Sequence, residues 1–334
     1  MPLLTDILLM VVGILAVTVF AIVIGLLFLG IDRKLTAHMQ ARIGPPLTQP
    51  FTDVAKLLSK ESIIPEDAIP LLFNMAPMLA LSGSVAILLY LPIGAFPPLL
   101  GGSGDLVLVM YLLTVPALAM VAGGFASGSP YATVGAQREM VTMMAYELPI
   151  AIIVVTIAWR LAVAGIALPF ALTTIGANPL WGIIGPLGLI GFAILLLVLL
   201  LVTPAEVSRI PFDTPEAETE LAGGLLVEYS GRNLALFQIA HGVRTIAISA
   251  LVVALFFPYS VAPTLGITGL SAWIVDLVFF LVKLFAVTFV SISLIRVATA
   301  RLRINQVVSL YWTYLGGLGI LGLALIVLDA GVFL

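Results

Sequence analysis

An all-α, polytopic membrane fold is what this sequence predicts, and three observations predict it. Hydrophobic residues make up 62% of the 334-residue chain and charged residues only 9%, against about 25% charged in a soluble domain. The apolar residues gather in eight long runs, each close to the roughly 20 residues that a helix needs to cross a hydrocarbon core of about 30 Å. Lysine and arginine collect in alternate connections between those runs. Helices rather than strands follow because lipid satisfies no backbone group outside a helix or a closed barrel.

In chain order the spans are placed at 5–31, 70–92, 105–126, 141–165, 181–203, 234–257, 270–297 and 309–333. The first run has no basic leader and is too long for a signal peptide, so it reads as a retained span. Loop one (32–69) carries Arg33, Lys34, Arg42, Lys56 and Lys60. Loop three carries Arg138, loop five Arg209 and Arg232, and loop seven Arg301 and Arg303. Loops two, four and six have no cation, so ten of the 14 basic residues fall on one side. The positive-inside rule makes that side cytoplasmic, with both termini outside a cell membrane. No soluble domain or internal repeat interrupts the plan, and residues 1–334 read as a single integral-membrane domain. Loop one, punctuated by "GPP", "QP" and "IIPEDAIP", reads as a compact, partly helical surface segment.

Composition also excludes functions. A net charge of −3 gives no basis for nucleic-acid binding, and the lack of cysteine excludes disulfides, thiolate metal sites and self-supplied iron–sulphur clusters. His38 and His241 are the only histidines, too few for the usual haem or zinc centres. No metal or cofactor is expected in this chain; any redox centre has to belong to a partner.

Several charges lie in or near the spans: Glu139, Glu147, Arg160, His241, Arg244, Asp276, Lys283 and Arg296. A charge at a helix centre costs about 2.5–3.5 kcal/mol on insertion scales, so such residues face a bundle interior or a wet path. Glu147 precedes Leu148-Pro149, and Pro149 leaves the carbonyl of Ala145 without its usual donor. This reads as a polar turn beside the carboxylate, with pairing to a nearby arginine as the plainer alternative. His241 and Arg244 are three apart on one face, and Asp276 and Lys283 share a face seven apart, too far to touch. For these four, inter-helix ion pairs and a transport role account for the pattern equally well.

The densest charge is in "TPAEVSRIPFDTPEAETELAGGLLVEYSGR", residues 203–232, which holds Glu206, Asp213, Glu216, Glu218, Glu220 and Glu228. Asp213 and Glu216 have capping-box spacing with Pro215 tolerable in a first turn, predicting a helix that carries Glu216 and Glu220 on one face. Gly224 and Glu228 continue that face, and Glu218 points away. A solvated acidic face is one reading. The apolar, glycine-rich "LAGGLLVEYSG" favours the other, close packing at membrane depth, where crowded carboxylates share protons and can act as a relay or charge-sensing switch.

These segments resemble a known family. "AEVSRIPFDTPEAETELAGGLLVEYSGRNLALF" is closely similar to the signature of the subunit that joins the membrane and peripheral arms of respiratory complex I, the NADH dehydrogenase 1/H-subunit family. "GGFASGSPYATVGAQREMVTMMAYELP", "HMQARIGPPLTQPFTDVAKLLSKESIIP" and, more weakly, "RVATARLRINQVVSLYW" are also similar to it, in the same chain order. The resemblance implies a relay of Glu147, Asp213, Glu216, Glu218, Glu220 and Glu228, with Glu206 and Arg209 in the same motif. It implies a docking face for the peripheral arm on loops one, three and five. Candidates there are Arg42, Gly44, Pro45, Pro46, Gln49, Asp53, Lys56, Lys60, Arg138 and Arg209, the lysines being equally suited to lipid headgroups.

Three departures point to the version in membrane-bound nickel–iron hydrogenases and related sulphur-reducing complexes. They are Gly44-Pro45-Pro46 in place of Gly-Pro-Asn, Glu139 after Arg138, and Asn305 where an acid usually precedes Gln306. Glu139 adds a carboxylate to the relay. The implied partners are an iron–sulphur subunit and a hydrogenase-like large subunit on the cytoplasmic side, holding iron–sulphur clusters and a nickel–iron centre. Antiporter-like and small membrane subunits and lipid would lie alongside, the pumped ion being H+ or Na+. A quinone-reducing subunit and a stand-alone secondary transporter are the alternative readings. Replacing Glu220 with Gln is expected to uncouple the relay.

Overall fold

The computed structural model describes residues 2–102 and 104–331. Among them, eight helical stretches are long and apolar enough to cross a membrane, and a lone bridge between Ile93 and Phe96 is the only β pairing. The chain is a multi-pass, all-α membrane protein. Its helices are α1 (Pro2–Met39), α2 (Gln49–Ser59), α3 (Pro70–Tyr90), α4 (Leu106–Ala126), α5 (Pro130–Val163), α6 (Leu172–Ala177) and α7 (Pro186–Glu206). The rest are α8 (Glu218–Leu221), α9 (Gly231–Phe256), α10 (Leu270–Thr288), α11 (Leu294–Ala298), α12 (Ile304–Ser309) and α13 (Gly316–Asp329). Two π turns, Phe289–Ser293 and Leu310–Leu315, join α10 to α11 and α12 to α13 without breaking the rod.

The sequence marks several starts. Pro70, Pro130 and Pro186 occupy first-turn positions, where a missing N–H costs nothing. Asp105 caps α4 by accepting from the Leu108 amide at 2.9 Å. α2 is amphipathic: Pro50 and Val54 are buried, while Lys56 and Ser59 face outwards.

α9 is the central post, packed against α1, α2, α3, α7 and α10. It meets α1 at Gly25 and Gly242, where a Cβ on Gly25 would lie 2.6 Å from the Gly242 carbonyl carbon. α13 packs against both α5 and α7. Prolines interrupt the backbone ladder of α3, α4, α5 and α7 at Pro77, Pro116, Pro149 and Pro204. One freed carbonyl is visibly re-used: Phe73, four residues before Pro77, accepts from the Tyr229 hydroxyl at 3.2 Å.

The fold corrects several expectations. The fourth span begins at Pro130 rather than 141, so Arg138 and Glu139 lie within α5 and not in a loop. These residues do not end the helix because Glu139 is buried and Arg138 is tied to Glu220. α1 likewise continues to Met39 and carries Arg33 and Lys34 on its last turns. α5 stays helical through Pro149, so the missing donor beside Glu147 does not end the helix.

The helix predicted from Asp213 does not form. Only the four-residue α8 and a 3₁₀ turn at Gly224–Leu226 are helical there. Ala222, Gly223 and Gly224 have φ of 54°, 107° and 52°, which turns the chain back onto α5. A Cβ on Gly135 of α5 would lie 2.6 Å from the Leu225 amide nitrogen, so the close packing expected of "LAGGLLVEYSG" is present. Tertiary contact overrides the local capping pattern.

Candidate functional site

The site forms where α5, α7, α9 and the segment 207–230 converge. Glu139 and Tyr146 are two turns apart on α5 and face the same way. Glu206 ends α7, and Arg244 sits midway along α9. All four are about 1% exposed. Arg244 Nη2 donates to Glu206 Oε1 at 3.1 Å and to the Tyr146 hydroxyl at 3.2 Å. Ser208 Oγ donates to Glu139 Oε2 at 3.4 Å. Glu139 Oε1 and Arg244 Nε and Nη1 are buried without a hydrogen-bond partner among the described residues. One guanidinium thus serves two buried carboxylates, and with both ionised the cluster lacks a cation.

A second pair lies one helical turn away. His241 Nε2 meets Glu216 Oε1 at 3.1 Å, joining the loop-five segment to α9. Burial pushes the Glu216 carboxyl up, but His241, Arg209 and Arg244 outweigh it and hold it below the usual carboxylate range. Burial lowers Arg209 despite the opposing pull of Asp32 and Glu216. Glu139 is within electrostatic reach of both Glu216 and Glu206, and Glu206 of Glu147. Glu216, Glu139, Glu206 and Glu147 therefore form a sequence of mutually sensing carboxylates running from loop five into the bundle. A cavity of about 300 Å³ opens beside its head, with Arg33, Arg209, Glu216 and His241 on its wall.

The remaining predicted relay residues lie apart. Asp213 pairs with Arg301 at 2.9 Å, and burial raises its carboxyl more than Arg301 lowers it. Glu220 is half-exposed and pairs with Arg138 at 2.5 Å, so Glu216 and Glu220 do not share a face. Glu228 is half-buried. The Glu218 side chain is outside the described residues.

The predicted docking residues mostly face outwards. Arg42, Pro46, Lys56 and Lys60 are exposed, Gly44, Pro45 and Gln49 are partly so, and the neighbouring Ile43 is 90% exposed. Asp53 is clamped by Arg33 at 2.8 Å and Gln49 at 2.7 Å. Burial raises the Asp53 carboxyl, but the bonds to Arg33 and Gln49 hold it below its usual range. Arg209 lines the cavity instead of the outer face.

Among the four intramembrane candidates, Arg244 forms an inter-helix pair with Glu206 of α7, and His241 pairs with Glu216 of loop five. Asp276 and Lys283 form no ion pair among the described residues, so of the two readings the inter-helix pair does not hold for them. Asp276 accepts from the Val261 and Ala262 amides at 2.9 Å, and Lys283 donates to the Phe257 and Tyr259 carbonyls. Each satisfies backbone at the end of α9. Sequence reasoning missed Tyr146, whose only signal was its place beside Glu147. It also missed Asp32, which binds Arg296 at 2.9 Å and Ser293 at 2.7 Å. No group of three or more His, Asp or Glu among the described residues is arranged to hold a metal.

A family model described as NADH dehydrogenase matches residues 12–327. The H subunit of the NADH-quinone oxidoreductase of Brevibacillus brevis is 34% identical over 310 residues, covering 90% of this chain and 87% of that protein. Hydrogenase-4 component C of Escherichia coli is 31% identical over 299 residues, covering 89% and 90%. A chain of the membrane-bound sulfane sulfur reductase, an archaeal respiratory membrane complex, matches with a TM-score of 0.82 at 26% identity, covering 95% of this chain and 99% of that one. With its eight spans and near-complete coverage, the chain belongs to the NADH dehydrogenase family and is a membrane subunit of a complex I-like oxidoreductase.

Proposed function

We propose that this chain is the arm-joining subunit of a membrane-bound hydrogenase or a sulphur-reducing relative. It sits in the cell membrane with loops one, three and five towards the cytoplasm, where they dock an iron–sulphur subunit and a hydrogenase-like large subunit. Antiporter-like subunits lie beside it, and the redox centres stay in its partners. Exposed Arg42, Ile43, Lys56 and Lys60 on loop one support a docking face that mixes charge with apolar surface.

The observation that carries the mechanism is the buried group of Glu139, Glu206, Tyr146 and Arg244 behind the Glu216–His241 pair. An uncompensated buried carboxylate is costly, so a proton or a moving cation has to balance the second acid. Redox turnover in the docked subunits shifts loop five or its charge, which changes the grip of His241 on Glu216. Glu139 and Glu206 then gain or lose a proton, and Glu147 passes the change towards the lateral partners.

Glu139→Gln tests this without removing the Ser208 bond. Expected is an assembled complex that still transfers electrons but pumps ions roughly a hundredfold less, the size of effect proton-transfer groups show at the low end. Normal coupling in that variant sinks the relay. The half-exposed Glu220 is a less informative probe. Subunit and metal analysis of the intact complex separates the versions, nickel with iron marking the hydrogenase type.

A quinone-reducing version is the second reading, favoured by the cavity beside α1, α2 and α9 with its polar wall. Inhibition of turnover by quinone analogues, lost on filling that cavity, distinguishes it.

A further inference from the structure

Three helices leave a small gap beside the buried cluster. Ala80 and Ser84 lie one turn apart on α3, and Ala240 of α9 borders the same space; all three are buried. Gly83 draws α3 against α4, where a Cβ would stand 2.8 Å from Val115 Cγ1 and 3.4 Å from Pro116 Cδ. Small side chains on α3 and α9, with Pro116 on α4, leave a cavity of about 10 Å³ between them. His241 and Arg244 complete its wall.

That wall holds polar groups whose bonding is incomplete. His241 gives Nε2 to Glu216 at 3.1 Å, while its other ring nitrogen, Nδ1, is buried with no partner among the described residues. Arg244, 1% exposed, commits Nη2 to Glu206 and Tyr146, and its Nε and Nη1 are buried without a partner among the same residues. Ser84 Oγ donates to the Ala80 carbonyl at 2.8 Å, which leaves its lone pairs free to accept. Buried polar groups seldom stay unbonded, because each left so keeps the full cost of losing its water.

We infer that this cavity binds one structural water, which bonds His241 Nδ1, Arg244 and Ser84 Oγ together. The volume is about the least that admits a water molecule, and three polar partners are usual for a buried one. Donors and acceptors balance. Arg244 only donates and Ser84 Oγ accepts, so a water takes a bond from the first and gives one to the second. Its second hydrogen goes to a bare Nδ1, or its second lone pair accepts from an Nδ1–H, so one molecule serves both forms of the ring. A sodium ion would stand against the guanidinium with no carboxylate on the wall, and an acyl chain is too large for the space.

The water joins two groups that no hydrogen bond links among the described residues: Glu216 with His241, and Arg244 with Glu206 and Tyr146. Glu216, His241, water, Arg244 and Glu206 then form one unbroken chain from loop five to the end of α7. Ser84 touches neither carboxylate and acts as a positioning residue. The site stands on geometry alone, while its part in passing the state of Glu216 inwards rests on the relay reading.

A cryo-EM map of the intact complex that resolves ordered waters tests the site. A single peak within hydrogen-bonding distance of His241 Nδ1, Arg244 and Ser84 Oγ is expected. An empty cavity, or an ion there, overturns the inference, whatever the variants do. Ser84→Val fills the cavity and removes the acceptor. In the assembled variant the peak is expected to vanish and the ions pumped per electron to fall roughly fivefold, the low end for coupling between two sites, while electron transfer continues. An unchanged ratio with the water gone overturns the link and leaves the relay reading to Glu139→Gln.

Discussion

α9 and α1 both cross the membrane, and their surroundings are opposite. In an 18-residue apolar stretch of each, 94% of α9 is buried against 6% of α1. The less apolar helix is the buried one. α1 is exposed mainly over residues 6–20, where a bilayer asks only for apolar side chains. α9 carries His241 and Arg244, which lipid would not tolerate, and it is enclosed by helices that supply Glu206 and Tyr146 and by the loop-five segment that supplies Glu216. In a bilayer, burial follows the need to satisfy polar groups and to pack closely, since lipid tails are as apolar as leucine.

That contrast can be broken most sharply at Arg244. Arg244→Ala leaves Glu206 buried without its cation, and removing one partner of a buried pair costs about 3–5 kcal/mol. The expected result is loss of the chain from the assembled complex or a large fall in its unfolding temperature in detergent. Near-normal stability would mean that the pair is dispensable to the post.

Packing alone is tested by Ile246→Ala on α9, a fully buried side chain. About 2 kcal/mol is expected, the low end for such truncations, because in lipid the transfer contribution falls away and the cavity remains. Unfolding equilibria in mixed micelles measure it.

A smaller effect is expected at Glu216. Its carboxyl is held below its ordinary value of 4.5. The stability it contributes is therefore complete above about pH 4.5 and is lost as pH falls through the depressed value. Glu216→Gln should cost about 1 kcal/mol at neutral pH, and the difference from the unsubstituted protein should shrink under acid. Asp213, raised by burial, acts in the opposite direction, so the comparison must be made between variants at each pH. A constant difference down to strongly acidic pH would contradict the assignment.

The smallest effect belongs to α1. Val19→Ala, at a side chain 61% exposed, should change stability by under about 0.5 kcal/mol. A larger loss would reveal a partner helix on that face.

Much of the fold was legible because membrane insertion is a local criterion. Hydropathy located all eight spans, and the Gly-rich part of loop five was recognisable as packed backbone. The site was legible in part. Arg244 stood out as a charge in an apolar run and Glu206 as part of the acidic stretch of loop five, yet nothing in the sequence paired them across 38 positions. Glu216 and Glu220 looked alike under a helical spacing, but helix begins only at Glu218, and one carboxylate meets His241 while the other meets Arg138. Asp276 and Lys283 suited either ion pairs with other helices or a transport role, and the structure instead gives both to the backbone that follows α9.

The sequence by itself determined the number of crossings, the side that collects cations and the segments too polar or too glycine-rich for lipid. Each of these depends on residues within about one helix length. Only the tertiary structure decided which carboxylates are buried, which share Arg244 and which merely hold a loop. Those outcomes depend on contacts such as Glu139 with Ser208 and Asp213 with Arg301, made between segments far apart in the chain.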